Sequence, residues 1–127
     1  MHPRTKKQIE AHSIPIPSEW TCLPPVGYME MLLLVESAAM VMTDSGGLQK
    51  EAFFLDTPCI TLRDTTEWTE TVACGANQLV MDSTTSVNHE ALHAAIQSAQ
   101  HYTSGDHHPY GNGTAAQQIV EIITETR

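Results

Sequence analysis

Short apolar segments alternate with longer amphipathic segments along most of this chain. The short segments are rich in apolar and β-branched residues, as buried strands are, and they cover residues 20–23, 40–43, 58–62 and 78–80. Apolar positions at helical spacing predict helices over residues 5–12, 28–39, 48–55, 66–73, 87–100 and 114–124. Such alternation is typical of right-handed βαβ units, so the predicted fold class is α/β, with a parallel sheet covered by helices on both faces.

The length of the chain limits how many domains it can form. Its 127 residues leave room for one hydrophobic core and for no second domain of similar size. A complete doubly wound domain usually has about five or six strands, whereas this chain starts with a helix and offers about four. We therefore expect residues 1–127 to form one domain that is part of a longer protein.

The net charge and the cysteines indicate which partners and which cell compartment to expect. Acidic residues outnumber basic residues 15 to 6, for a formal net charge of -9. Nucleic acids and anionic membranes need a cationic protein face, so neither is an expected partner. The longest apolar run, residues 31–35, is far shorter than the roughly 20 residues that span a bilayer. The three cysteines form no CxxC pair and no secretory signal is evident, so we expect reduced thiols in a cytoplasmic protein.

The clearest local feature is the turn between the second predicted strand and the helix after it, which contains Ser45, Gly46 and Gly47. In a parallel sheet this turn lies at the carboxyl ends of the strands, where the unpaired N–H groups of the helix start attract anions. The glycines let a phosphate approach the backbone, and the serine adds a hydroxyl donor, so a diphosphate fits the turn. Glu51, one turn further on, fits the hydroxyls of a ribose. The structural alternative is that Asp44 or Ser45 only caps the helix and Glu51 faces solvent.

Two other motifs suggest hydrolytic chemistry. Asp-Ser-Gly-Gly at Ser45 is similar to the nucleophile segment of chymotrypsin-like proteases, but those are longer all-β proteins. A Gly-x-Ser-x-Gly elbow is excluded because Thr43 occupies its first glycine position. His89-Glu90-Ala91-Leu92-His93 matches the H-E-x-x-H zinc pattern on a predicted helix, although both histidines flank its apolar stripe as ordinary surface residues do. A small zinc hydrolase stays an alternative, and the third-ligand candidates nearby are His101, His107 and His108.

Five blocks in a fixed order carry a resemblance to a known family. They cover residues 2–5 (HPRT), 43–52 (TDSGGLQKEA), 63–67 (RDTTE), 75–80 (GANQLV) and 109–113 (PYGNG). Over nearly its whole length the chain resembles the C-terminal part of the non-hydrolysing UDP-N-acetylglucosamine 2-epimerases. The resemblance implies a Rossmann-like three-layer domain, the C-terminal half of a glycosyltransferase-B-like architecture in which two domains close on a nucleotide sugar. It also implies a role in cell-envelope polysaccharide synthesis.

The resemblance assigns roles to six positions, and a departure from the family pattern points to a seventh. Residues in the turn match those that hold the UDP diphosphate in the family: Ser45, Gly46 and Gly47. Glu51 matches the ribose-binding carboxylate, and the positions that line the uridine pocket are Val26 and Met31. Many members have Arg-Pro-Glu after Thr-Thr-Glu, whereas this chain has Trp68-Thr69-Glu70. A cationic contact is thus missing or replaced by packing against Trp68. Arg63 becomes the expected cation near the site, and the structural alternative is an ion pair of Arg63 with Asp64 or Glu67.

The resemblance also implies what this chain lacks. Members of the family interconvert UDP-N-acetylglucosamine and UDP-N-acetylmannosamine by removing the C2 proton, expelling UDP and adding it back. Their catalytic carboxylates belong to the N-terminal domain and a histidine precedes the part present here, so we expect no turnover by this chain alone. The expected ligands are UDP and a UDP-N-acetylhexosamine, with no cofactor or metal, and either a homodimer or a missing N-terminal half as protein partner. A standalone module that binds nucleotide sugars is the other alternative.

Overall fold

Three short strands lie at the centre of a computed structural model, which describes residues 1, 3–84, 86–103, 105 and 108–125. The strands are β1 (Val41–Thr43), β2 (Cys59–Thr61) and β3 (Asn77–Leu79). The helices in the described ranges are α1 (Pro3–Ala11), α2 (Tyr28–Glu36), α3 (Gly46–Phe54), α4 (Thr69–Ala73), α5 (His89–Gln100) and α6 (Ala115–Glu125). His2 and His107, named above, lie outside the described residues.

The strands form one parallel sheet in the order β1-β2-β3. Val41 pairs with Cys59, and Cys59 pairs with Asn77, so the three strands start at the same level and end together. Helix α3 connects β1 to β2, and α4 connects β2 to β3. Helical crossovers are what parallel neighbours require, because a tight turn can join only antiparallel strands.

Side chains of the buried strand β2 alternate between the two faces of the sheet. Cys59 packs with Val35 of α2 and Ala52 of α3 on one face. Ile60 packs with Val80 and with Ala95 of α5 on the other face. The sheet is thus the middle of three layers, which confirms the predicted α/β class and the Rossmann-like arrangement.

One predicted strand is wrong. Residues 20–23 form no strand, and Trp20 is 69% exposed. A strand needs a neighbour that accepts its backbone hydrogen bonds, and the described sheet offers none there. Five helix starts also differ from the prediction, by one to three residues: those of α1, α3, α4, α5 and α6. Side-chain caps fix two of them. Ser45 caps α3, which begins at Gly46, and Asn88 caps α5 by accepting from the Ala91 N–H at 3.0 Å.

Several apolar surfaces of the described chain face solvent. Helix α6 buries none of its residues, although one side of it carries Ile119, Val120, Ile122 and Ile123. Helix α2 likewise exposes Tyr28, Met29, Leu33 and Leu34. Strand β1 has β2 as its single neighbour in the described sheet, so its other edge is open. Among the described helices, none is long and apolar enough to cross a bilayer.

Candidate functional site

Ser45 lies in the turn between β1 and α3 and caps the N-terminus of α3. Its Oγ accepts a hydrogen bond from the Leu48 N–H at 3.4 Å, and its own N–H donates to Thr43 Oγ1 at 3.0 Å. The Ser45 carbonyl oxygen accepts the first helical bond, from the Gln49 N–H at 3.2 Å. The N–H groups of Gly46 and Gly47 in the first turn have no intrahelical acceptor, because no earlier turn exists. Ser45 therefore caps the Leu48 N–H and leaves the N–H groups of Gly46 and Gly47 without an acceptor in the helix.

The turn is open on the side of Gly47. Ser45 and Gly47 are exposed, and a Cβ atom built on Gly47 would meet nothing nearer than Ser45 Oγ at 3.9 Å. Gly46 is half-buried, and a Cβ atom on it would lie 3.2 Å from Glu67 Cδ and still closer to that carboxylate. An anion can thus reach the backbone from the Gly47 side, whereas Glu67 covers the Gly46 side.

Residues 63–68 lie against the first turn of α3. The Trp68 Nε1–H donates to the Gly46 carbonyl oxygen at 2.7 Å. Arg63, the predicted cation, reaches this neighbourhood but is paired, since its Nη1 lies 3.1 Å from Glu67 Oε2. Both side chains of that pair are partly exposed, so the ion pair can exchange partners at low cost.

A second cation, which the sequence did not single out, is held by aromatic rings. Lys50 Nζ lies 4.2 Å from the ring centroid of Trp68, 4.6 Å from that of Tyr110 and 5.8 Å from that of Phe54. Trp68 and Tyr110 meet edge to face, with ring centroids 6.1 Å apart. The Tyr110 hydroxyl donates to Glu70 at 3.3 Å. Burial raises the pKa of Tyr110, and the nearby Glu70 carboxylate acts in the same direction.

A buried polar network ties these residues to the sheet. Gln49 Oε1 accepts from Thr66 Oγ1 at 2.6 Å and from Asn77 Nδ2 at 3.2 Å. Asn77 also accepts from Thr61 Oγ1 at 2.7 Å and donates to Thr71 Oγ1 at 3.3 Å. The hydroxyl of Thr66 in turn accepts from the Trp68 N–H at 3.1 Å. The segment that covers Gly46 is therefore hydrogen-bonded to α3 through Gln49, and the buried bonds of Asn77 extend this connection to β3 and β2.

The other predicted site residues lie on α3, on α2 and in the segment just before α2. Glu51 is half-buried on α3, and its carboxylate has no hydrogen-bond or ion-pair partner among the described residues. Val26 and Met31 line one pocket of about 310 Å³. Met31 also packs on the core cluster that Leu48, in the first turn of α3, contacts. The structure thus groups the two predicted uridine-pocket residues together, beside α3.

The H-E-x-x-H pattern does not form a metal cluster in the described structure. His89 and His93 are both exposed on α5. No group of three His, Cys, Asp or Glu side chains able to hold a metal ion occurs within the described ranges. A zinc site needs at least three such protein ligands. Exposed histidines four residues apart are also what the solvent side of an amphipathic helix carries.

A three-layer domain with an open turn at the carboxyl ends of its parallel strands belongs to the Rossmann-like class. Within that class, a family model described as UDP-N-acetylglucosamine 2-epimerase matches residues 1–124. The chain therefore belongs to the UDP-N-acetylglucosamine 2-epimerase family, which confirms the resemblance found in the sequence.

Two curated relatives are equally similar in sequence to this chain. The UDP-2,3-diacetamido-2,3-dideoxy-D-glucuronate 2-epimerase of Pseudomonas aeruginosa is 41% identical over 125 residues, which is 98% of this chain and 34% of that protein. The UDP-N-acetylglucosamine 2-epimerase of Methanocaldococcus jannaschii is also 41% identical, over 98% of this chain and 34% of its own length. The chain spans about a third of the length of these relatives.

Solved structures agree with the fold. The UDP-GlcNAc 2-epimerase structure from Methanocaldococcus jannaschii matches with a TM-score of 0.81 and 40% identity, over 98% of this chain and 34% of that one. The same enzyme in complex with UDP-GlcNAc and UDP matches with a TM-score of 0.78, 41% identity and the same coverage.

Proposed function

We propose that residues 1–127 are the UDP-binding domain of a UDP-N-acetylglucosamine 2-epimerase. The observation that carries the proposal is the open turn at Ser45–Gly47, in a chain that matches an epimerase structure in complex with UDP-GlcNAc and UDP over 98% of its length. Helix starts of this kind bind phosphate groups through backbone N–H groups and the helix dipole. The diphosphate is the part of the ligand that such a turn recognises.

The remaining predicted residues receive matching roles in this proposal. The Glu51 carboxylate, which has no described partner, accepts hydrogen bonds from the ribose hydroxyls. Val26 and Met31 supply an apolar wall for the uracil ring. Arg63 balances part of the diphosphate charge by exchanging Glu67 for a phosphate oxygen.

We propose that the epimerisation itself needs the other two thirds of such a protein. Moving the C2 proton from one face of the sugar to the other requires general acid and base groups on both sides of the ring. The exposed apolar sides of α2 and α6 and the open edge of β1 support a covering partner domain. Without that domain the cleft is half built, so binding is weak and turnover is absent.

A calorimetric titration tests the proposal. We expect UDP and UDP-N-acetylglucosamine to bind the chain with a Kd on the order of 1 mM, which corresponds to about 4 kcal/mol. NMR should detect no conversion of the sugar until the N-terminal two thirds of a relative is added. Absence of UDP binding at a ligand concentration about 10-fold above this expected Kd would contradict the proposal. Binding of UDP with no turnover after the N-terminal part is added would favour a standalone binding module.

Replacing Glu51 with glutamine tests the ribose contact. We expect UDP to bind about 3- to 10-fold more weakly, because a carboxylate accepts two hydroxyl donors more strongly than an amide does. The affinity for 2′-deoxy-UDP should change much less. The Kd for 2′-deoxy-UDP divided by the Kd for UDP should therefore be smaller in the variant than in the unmodified chain. Glu121→Gln on α6 is the matched control, and equal losses for both nucleotides would contradict the assignment.

A further inference from the structure

Lys50 carries a positive charge that no described carboxylate neutralises. The protein has a formal net charge of -9, and two of its few cations are paired: Lys6 with Glu10 and Arg63 with Glu67. Among the described acidic side chains, none lies within ion-pair distance of Lys50 Nζ. The ammonium instead lies against the ring faces of Trp68 and Tyr110. Ring faces attract a cation without cancelling its charge or occupying its N–H groups on the open side.

The position of Lys50 links it to the open turn of α3. Lys50 follows Gly46 by four residues and therefore lies on the same side of the helix. Long helical side chains lean toward the N-terminus, which brings the ammonium toward the first turn. Trp68 joins the two, because its Nε1–H donates to the Gly46 carbonyl oxygen while its ring contacts Lys50. The Trp68 indole therefore contacts both the Lys50 ammonium and the carbonyl group of the first residue of α3.

We infer that Lys50 is a further diphosphate-binding residue, held in place by Trp68 and Tyr110. The inference rests on the proposed function, since it concerns the same turn. The two rings restrict the flexible lysine and partly remove it from water, so its attraction to a phosphate oxygen is stronger than that of a free surface lysine. Tyr110 is itself fixed by its hydrogen bond to Glu70. The rings therefore already restrict the lysine side chain, so less conformational entropy is lost when a ligand binds.

Nucleotides of increasing charge separate an electrostatic role from a structural one. We expect Lys50→Met to weaken UDP binding about tenfold and to change uridine binding less than about twofold, because uridine has no phosphate. The salt dependence of UDP binding should also become shallower in this variant. Methionine keeps the contact with the rings, so the fold should be retained. Lys50→Arg should preserve most of the affinity, and Lys6→Met on α1 is the control that should change neither ligand.

Each other result overturns the inference. Equal losses of UDP and uridine affinity would mean that Lys50 only supports the fold, and unchanged UDP affinity would mean that its charge does not reach the phosphates. Lys50→Gln gives the same comparison if the methionine variant is unstable by thermal unfolding. If the unmodified chain binds uridine but gains nothing from the diphosphate, the proposed function fails as well. The binding of the unmodified chain therefore distinguishes the two failures.

Discussion

Replacing Gly47 with alanine is expected to weaken UDP binding about tenfold and, at the same time, to raise thermal stability. The added methyl group meets no atom of the protein within 3.9 Å, so the fold has room for it. It occupies the space through which a phosphate would approach the backbone N–H groups. Alanine is also a better helix former than glycine, by up to about 1 kcal/mol in a helix interior and less in the first turn. Calorimetry and thermal unfolding measure the two effects.

The matched control for this change is Gly75→Ala. Gly75 has a φ of +78° at the end of α4, a conformation that alanine adopts only with strain. It also precedes β3, whereas the open turn lies at the other end of the sheet. We expect this control to lose stability and to keep its UDP affinity. Unchanged UDP binding by Gly47→Ala would show that the diphosphate does not use this turn.

Replacing Asn77 with alanine is expected to lower the free energy of unfolding by about 2–4 kcal/mol. Asn77 is 1% exposed and hydrogen-bonds Thr61, Gln49 and Thr71. The substitution therefore removes three buried side-chain hydrogen bonds at once. Its midpoint of thermal unfolding should fall by roughly 10 °C for a chain of this size. Urea denaturation measures the free energy directly.

Asn112→Ala is the control for the buried network. Asn112 is exposed, and its side chain bonds only the neighbouring Thr114 among the described residues, so we expect a loss below about 1 kcal/mol. Similar losses for the two variants would mean that the buried network contributes no more than a surface turn. A large loss confined to Asn77 would show that the buried network stabilises the fold more than a surface turn does.

Local signals predicted most of the secondary structure. The serine before Gly46 and the asparagine before His89 are caps that act through their own neighbours, so a helix start in each region follows from a few consecutive residues. The failed strand at residues 20–23 has the opposite origin, because a strand forms only where a second strand accepts its hydrogen bonds. Sequence shows the apolar character of such a segment and not its partner.

The site divides in the same way. The open turn before α3 was predictable because its serine and two glycines are consecutive and shape the helix start mainly through their own backbone. Other parts of the site join three separate segments of the chain. Glu67 and Trp68 cover the turn, and the Lys50 ammonium lies between Trp68 and Tyr110. Arg63 was the predicted cation, with pairing to Asp64 or Glu67 as the alternative, and the structure shows it paired with Glu67.

The sequence alone determined the α/β class, the family and the position of the open turn before α3, because each depends on local periodicity or on consecutive residues. The tertiary structure decided which cation lies free of carboxylates beside the turn and which buried amides anchor its cover. Those outcomes depend on distances between residues 17 to 60 positions apart, such as Gln49 to Thr66 and Lys50 to Tyr110. Only the folded chain sets such distances, because burial and packing fix them and no short stretch of sequence does.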